Sequence, residues 1–196
     1  MKEKVINAII EHYKSNFGEI EVVDFKPSKN MPLKPQLILS RPNKHHDYNI
    51  IATLGVSDVK LKGLYSNCEF LVLLDKDWKF KLDNVNHNWP LELLHKISNI
   101  VYLTNTEVGY GKYFINDNNS PFSPTSAMGV AILSLPAMLD PRFFELKIGK
   151  KVKNFFVVTT ATFEELKLIE HIGGINFVQR YLLPEGEEAF ILQDQN

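Results

Sequence analysis

The sequence predicts an α+β protein, or loosely α/β, in which helices pack over a mixed β-sheet. The apolar run at residues 155–158 does not alternate with polar residues, which is typical of a strand covered on both faces. Thr162 and Glu165 then form a capping box, in which the threonine hydroxyl and the glutamate carboxylate each accept from a main-chain amide. Further apolar segments, some of strand length and some of helical period, precede this unit, so strands and helices are expected to share one core.

The first helix is predicted over residues 2–16 and ends at Gly18, because glycine adopts the left-handed conformation that terminates helices. Its inward stripe consists of Val5, Ile6, Ile9, Ile10, Tyr13 and Phe17. A strand is predicted over residues 20–25. A second, short strand over residues 36–40 lies in a loop-rich region that is broken by Pro27, Pro32, Pro35 and Pro42.

Two stronger strands follow, over residues 48–54 and 69–74, and they are predicted to be neighbours in the sheet. A second helix is predicted to begin at Asn88-Trp89-Pro90, since the missing amide of proline suits the first turn of a helix. The apolar stripe of this helix consists of Leu91, Leu94, Ile97 and Val101.

Residues 107–115 are predicted to form a strand interrupted by Gly109 and Gly111, and residues 130–135 form another. The segment Gly109-Tyr110-Gly111 lacks the lysine and hydroxyl residue of a phosphate-binding loop, so its role is conformational. Between these strands, residues 116–126 are rich in Asn, Ser and Pro and contain Phe122 as their only large apolar residue. An exposed loop is therefore expected there.

The helix that follows the capping box is predicted to close at Gly173-Gly174, and a second amphipathic run continues to Tyr181. The tail is acidic, with Glu185, Glu187, Glu188 and Asp194. Within it, residues 190–192 are apolar, so they are predicted either to add an edge strand or to dock on the body of the protein.

The composition favours one globular domain over residues 1–196, of which 44% are apolar and 23% are charged. A formal net charge of -1 argues against nucleic-acid binding, which relies on a broad cationic surface. Cys68 is the only cysteine and is predicted to be a buried, inert thiol. No apolar run approaches the roughly 20 residues that span a bilayer. Because the N-terminal segment also lacks a signal-peptide core, a cytoplasmic protein without membrane association is expected.

Five ordered motifs resemble the suppressor of fused family, in particular its compact single-domain bacterial members. The resemblance is strongest over residues 48–183. The motifs are Thr53-Leu54-Gly55-Val56-Ser57 at a strand end, the strand Cys68-Glu69-Phe70-Leu71-Val72-Leu73-Leu74, Trp89-Pro90 with Leu93 and Leu94, residues 130–136, and Thr162-Phe163-Glu164-Glu165-Leu166. The resemblance implies a suppressor-of-fused-like domain with a mixed sheet.

The resemblance also implies a protein-binding function without catalysis. Animal relatives restrain a transcription factor by clasping an extended peptide between two lobes, and this chain is too short to contain the second, C-terminal lobe. Bacterial members are commonly regarded as immunity proteins that neutralise polymorphic toxins, so the resemblance implies a cognate toxin as the protein partner. It transfers no catalytic residue, no cofactor and no metal ligand.

The candidate partner-binding residues come from two loop regions, residues 26–47 and 116–126, because exposed loops on a rigid sheet often carry recognition. The first region is locally basic and could steer an acidic toxin surface by charge complementarity. Phe122 is the predicted anchor of the second region, since exposed aromatic residues often dominate binding energy. The candidates are Lys34, Arg41, Lys44, His45, His46 and Phe122, and the basic stretch also includes Lys26 and Lys29.

Other functions are weighed beside occlusion of a toxin. A small metal-dependent hydrolase would use His45, His46 and Asp47, but adjacent residues in an extended segment point to opposite faces and do not readily share a metal. A solvated loop is the simpler interpretation of this cluster. No spacing places a base beside Ser57, so no nucleophile is predicted. An adaptor that binds an extended peptide by strand addition to a sheet edge stays open, as does the oligomeric state.

Overall fold

The structure is a computed structural model that describes residues 3–27, 31–81, 84–137 and 139–193. The predicted helix start at Lys2 and the charged residues Lys29 and Asp194 lie outside these residues. The helices are α1 (Glu3–Phe17), α2 (Val85–Leu103), α3 (Phe163–Ile172) and α4 (Gly174–Phe177). The strands are β1 (Glu21–Val23), β2 (Gln36–Ser40), β3 (Asn49–Leu54), β4 (Cys68–Leu74), β5 (Tyr113–Ile115), β6 (Met128–Ser134), β7 (Glu145–Ile148), β8 (Lys151–Thr162) and β9 (Ile191–Leu192).

The strands form one mixed sheet in the order β1-β2-β3-β4-β8-β6-β5. Strands β1 to β4 pair antiparallel in sequence, β8 lies parallel to β4, and β6 lies antiparallel to β8. Strand β7 pairs with the beginning of β8 as a hairpin. The predicted α+β class, with a mixed sheet covered by helices, is confirmed. Within the described residues, no helix is long and apolar enough to cross a membrane.

Side-chain alternation along the central strands divides the core between the two faces of the sheet. Phe156 and Val158 of β8 point to the face covered by α2, where they join Trp89 and Leu94. Phe155 and Val157 point to the opposite face, which is covered by α1, α3 and α4. All residues of β3 and β4 are buried, which explains why these two strands are mainly apolar and do not alternate with exposed polar residues.

The C-terminal tail completes the interior of the sheet. The first half of β4 pairs with β8, from Cys68 opposite Asn154 to Leu71 opposite Val157. Its second half pairs with β9, with Leu73 opposite Ile191. Residues 190–192 were predicted either to add an edge strand or to dock on the body. Residues 191–192 do add a strand, but β9 lies beside the central strand β4 and not at an edge of the sheet.

Three local predictions are confirmed by main-chain geometry. Gly18 ends α1 at a φ of 84°, and its amide donates to the Lys14 carbonyl at 2.9 Å. The capping box is present, because the Glu165 amide donates to the Thr162 hydroxyl at 3.2 Å and the Thr162 amide donates to the Glu165 carboxylate at 2.7 Å. Gly173, with a φ of 83°, ends α3.

The boundaries that differ from the predictions include those of α2 and β5. Helix α2 begins at Val85 and not at residues 88–90, because the Asn84 side chain accepts from the Asn86 amide at 2.9 Å and caps an earlier turn. Pro90 therefore lies inside the helix. Strand β5 is confined to Tyr113–Ile115, since the chain turns at Gly111, where φ is 76°.

Candidate functional site

A groove of about 280 Å³ lies between α2 and the edge strand β5. One stripe of α2 forms its wall, because Leu93, Ile97 and Ile100 recur at the three- and four-residue spacing that places side chains on one helix face. Strand β5 forms the opposite side. The other lining residues include Met31, Pro32, Lys96, Asn99, Leu103, Phe114, Ile115, Asn116, Asp117 and Phe122.

The groove contains residues from both of the loop regions that were predicted to bind a partner, residues 26–47 and 116–126. Met31 and Pro32 belong to the first region, and they are held in place by Asn99 of α2. The side-chain Oδ1 atom of Asn99 accepts from the main-chain amide of Leu33 at 2.9 Å. The side-chain Nδ2 atom of Asn99 donates to the main-chain carbonyl of Leu33 at 2.8 Å. This two-point contact fixes the loop against the helix. The sequence analysis missed Asn99, because a polar residue on a helix that also carries His95 and Lys96 gives no local signal of a tertiary contact.

Phe122 forms part of the groove and is half-buried. Its ring stacks on Trp89 with a centroid separation of 5.7 Å and an interplanar angle of 6°. Its amide donates to the Met128 carbonyl at 2.8 Å. The loop around it was expected to be exposed, and its turn at Asp117–Asn119 is exposed, whereas Ser123 is buried. Phe122 therefore serves the core and the groove at the same time.

The main chain of β5 presents unpaired groups at the groove. Among the described residues, β5 pairs only with β6. The Asn116 amide and the Lys112 carbonyl bond toward β6, at 2.9 Å and 2.8 Å. Because alternate residues of an antiparallel strand direct their peptide groups to the same side, those of Tyr113 and Ile115 point to the free edge.

The structure does not bring the other five candidate residues to this groove. Lys34, Arg41, Lys44 and His45 are exposed near β1, at the opposite end of the sheet from β5. Arg41 is already paired, with its Nη2 atom 2.9 Å from Oε1 of Glu21.

His46 corrects the sequence interpretation, because its ring is only 7% exposed and is not available to a partner. Its Nδ1 atom lies 2.6 Å from the Tyr48 carbonyl oxygen, and its Nε2 atom lies 3.2 Å from the Ser40 hydroxyl. The neighbouring His45 is exposed, and both histidines lie in a turn closed by the Asn43–His46 bridge, not in the extended segment that was expected. In the described part of the chain, no group of three or more His, Cys, Asp or Glu residues could hold a metal ion.

We expect His46 to make the protein less stable in acid. Burial lowers the pKa of His46 below its ordinary value, although hydrogen bonds to the carbonyls of Tyr48 and Phe17 raise it in part. The unfolded state then binds the proton more readily than the folded state, so the contribution to stability is lost as pH falls below about 6.5. In urea unfolding near neutral pH, the free energy of unfolding of the wild type should exceed that of His46→Asn by about 1–3 kcal/mol.

The difference in free energy of unfolding between wild type and His46→Asn should become smaller as the pH is lowered from about 7.5 to about 5.5. The difference isolates His46, because His12 and His95, whose pKa values burial also lowers, are present in both proteins. His45→Asn is the matched control and should show no such narrowing. A gap that widens in acid would contradict this role of His46.

A second feature that sequence reasoning missed is Glu69, a fully buried carboxylate in β4. It accepts the Thr53 hydroxyl at 2.6 Å and the amides of Gly55, Val56 and Ser57 at 3.0, 3.2 and 3.0 Å. Burial raises the pKa of Glu69, and these hydrogen bonds lower it in part. The carboxylate thus holds the turn after β3 in place. Its signal in the sequence was a single acidic residue within an apolar strand.

Lys153 of β8 extends this buried cluster. It is 3% exposed, and its ammonium donates to the Ser57 carbonyl. Burial lowers the pKa of Lys153, while the nearby charges of Glu69 and Asp58 raise it. Cys68 is buried beside the cluster, and burial raises the pKa of its thiol. Among the described residues, no histidine is hydrogen bonded to the Ser57 hydroxyl. The cluster joins β3, β4 and β8.

A mixed sheet with helices on both faces defines an α+β fold. A family model described as "Suppressor of fused protein (SUFU)" matches residues 32–192. The chain belongs to the suppressor of fused family.

Solved structures share this fold at low sequence identity. The chain of the Sufu–Fu complex matches with a TM-score of 0.64 and 16% identity, over 99% of this chain and 90% of that chain. A putative suppressor of fused homologue from Neisseria gonorrhoeae matches with a TM-score of 0.63 and 14% identity, over 93% and 91%. Drosophila Suppressor of Fused matches with a TM-score of 0.63 and 16% identity, over 98% of this chain and 49% of its own length. No curated protein sequence matches the chain significantly.

Proposed function

We propose that this chain is a bacterial cytoplasmic protein-binding domain that neutralises a cognate toxin by covering its active site, and that the toxin docks at the groove between α2 and β5. The observation that supports it best is the convergence of both nominated loop regions on one apolar groove. The solved complex of a relative with Fu supports protein binding as the mode of action.

The rim of the groove has the exposed apolar side chains that such docking requires. Leu103 is 64% exposed and Ile115 is 37% exposed, and both line the groove. Burying apolar surface contributes roughly 25 cal/mol per Å², and a few central residues dominate most interfaces. An interface of standard size covers about 800 Å² on each partner, so a toxin anchored here would have its active site occluded without any chemistry by the binder.

The test is affinity purification of the tagged chain from its native host, followed by inhibition of the recovered toxin with purified domain. We expect Leu103→Lys to weaken binding by about 2 kcal/mol, or roughly thirtyfold, because a charge would enter the apolar contact. Leu64→Lys is the matched control, since Leu64 is 81% exposed and does not line the groove. Recovery of a toxin whose affinity is unchanged by Leu103→Lys would contradict the proposed surface, and recovery of no toxin would contradict the immunity role.

A second candidate function is supported by the free edge of β5. An adaptor or regulator would add an extended peptide to the outward peptide groups of Tyr113 and Ile115. Such binding depends on main-chain hydrogen bonds, so Ile115→Pro would abolish it, whereas Ile115→Val would retain it. Occlusion of a toxin depends on side chains, so it would instead be most sensitive to Leu103→Lys. Comparing the three variants in the same purification separates the two functions.

A further inference from the structure

The edge strand β1 lies at the other end of the sheet and is bordered by open surface along its whole length. Among the described residues it pairs only with β2. Residues 18–21 line a depression of about 990 Å³, and residues 22–27 line a second depression of about 760 Å³. Every residue of this ten-residue segment therefore borders an open depression. Val22, at the centre of the strand, is 61% exposed.

Unpaired lysines surround this edge. Two of the cations beside it are already engaged, since Arg41 pairs with Glu21 and Lys14 lies 3.2 Å from Glu11. Lys26 and Lys34 line the second depression, Lys44 lines the first, and none of these three has an acidic partner in the described part of the chain. The carboxylates that line the same depressions are Glu19, Glu21 and Asp24.

Lys26 and Lys34 place two positive charges at the end of β1. Both are exposed and both line the second depression, just beyond the point where Val23 pairs with Leu37. Among the residues that the structure describes, Asp24 is the only carboxylate that lines the depression beside them. The surface at this end of the strand is thus locally positive in a chain whose formal net charge is -1.

The floor of the second depression contains a buried polar side chain without a hydrogen bond. His95 of α2 lines the depression and is 2% exposed, and within residues 3–27, 31–81, 84–137 and 139–193 neither of its ring nitrogens has a hydrogen-bond partner. Buried polar atoms in proteins are generally hydrogen bonded. Both nitrogens are themselves buried, so His95 contributes a wall of the depression and not a polar contact with a bound molecule. Phe25, Pro35 and Leu37 provide apolar walls beside the ring.

We propose that the free edge of β1 binds an extended acidic segment of a protein partner by strand addition, with Lys26 and Lys34 binding its carboxylates. Free main-chain groups on an edge strand pair with another main chain, and alternate side chains of the added strand reach the two flanking surfaces. A peptide fits this surface better than a nucleic acid does. The exposed Val22 and the apolar walls require apolar contacts, and three free lysines give little counterion release.

The probe is a fluorescein-labelled peptide of alternating glutamate and valine, and its binding to the full chain is followed by fluorescence anisotropy. We expect the peptide to bind and the double variant K26E/K34E to weaken binding about tenfold, since two exposed ion pairs are replaced by repulsion. Raising the salt from about 0.1 M to about 1 M should weaken binding as well, because the screening length falls from ~10 Å to ~3 Å. Hydrogen exchange of the β1 amides should slow in the complex.

The control is K150E/K151E, which reverses two exposed lysines at the turn between β7 and β8 and should leave binding unchanged. Thermal unfolding of both double variants confirms that the fold is retained. A peptide with glutamine in place of glutamate should bind more weakly. Absence of binding by the acidic peptide, equal loss in both double variants, or equally tight binding of labelled oligothymidylate would each overturn the proposal. Leu103→Lys should leave this binding intact, so the outcome is independent of the groove.

Discussion

Glu69→Gln is expected to lower the free energy of unfolding by about 3–5 kcal/mol, the typical loss when one member of a buried charged group is removed. The Glu69 carboxylate accepts four hydrogen bonds, from the Thr53 hydroxyl and three successive amides. The side chain of glutamine has only one oxygen atom, and its NH2 group cannot accept. The donors that now bond to the second carboxylate oxygen would therefore lose their acceptor. The positive charge of Lys153 would also lose its buried counter-charge.

This loss is measured by urea unfolding followed by circular dichroism, with wild type and variant compared at the same pH. Glu170→Gln is the matched control, because Glu170 is exposed on α3 and its replacement should change stability by less than about 0.5 kcal/mol. Thr53→Val removes the hydroxyl that donates to Glu69 and accepts from the Phe70 amide at 2.9 Å, and it should cost about 1–3 kcal/mol. Equal stability of Glu69→Gln and wild type would show that the carboxylate does not hold the turn after β3.

Gly111→Ala is expected to cost roughly 2–4 kcal/mol, from backbone strain and overpacking together. Gly111 has a φ of 76°, which a residue with a Cβ atom rarely adopts. An added Cβ would also overlap the backbone nitrogen and side chain of Ile175, so the chain after α3 would have to move. The conformational role predicted for the Gly109-Tyr110-Gly111 segment thus belongs to Gly111, where the turn crosses close to Gly174.

Gly149→Ala provides the control that separates strain from packing. Gly149 also has a positive φ, of 61°, but a Cβ atom there would meet nothing within 4 Å. Its replacement should therefore cost only the conformational penalty, about 1–2 kcal/mol. Thermal unfolding of the two variants gives the difference directly. A loss at Gly149 as large as that at Gly111 would mean that packing against Ile175 contributes nothing.

Residue patterns predicted those elements whose structure depends on neighbouring residues. The capping box at Thr162, the helix end at Gly18 and the buried run at residues 155–158 are all as predicted. The errors arose where two local signals competed. Pro90 suits a first helical turn, but the side chain of Asn84 caps an earlier one. Strand β7 was not predicted, because its four residues alternate between exposed and half-buried positions and provide no strong apolar run.

The candidate site was predicted only in part. Phe122 lies in the groove, whereas His46, which is polar and lies in a loop, is buried by contacts with Ser40, Tyr48 and Phe17. A histidine in a loop can be exposed to solvent, or it can be buried and hydrogen bonded. Neighbouring residues do not distinguish these two environments, because the partners of His46 include a residue 29 positions away. The assignment of residues 1–196 to a single domain stays a prediction.

The sequence by itself determined the α+β class, the family and the local caps, because these depend on periodicity and on residues within one or two turns of each other. The tertiary structure decided the position of β9 beside β4, the burial of Glu69 beneath the turn after β3, and the presence of Met31 and Phe122 in one groove beside α2. Each of these joins segments that are far apart in sequence. Their pairing depends on which strands and loops become neighbours in the folded sheet, and residues close together in sequence do not encode that choice.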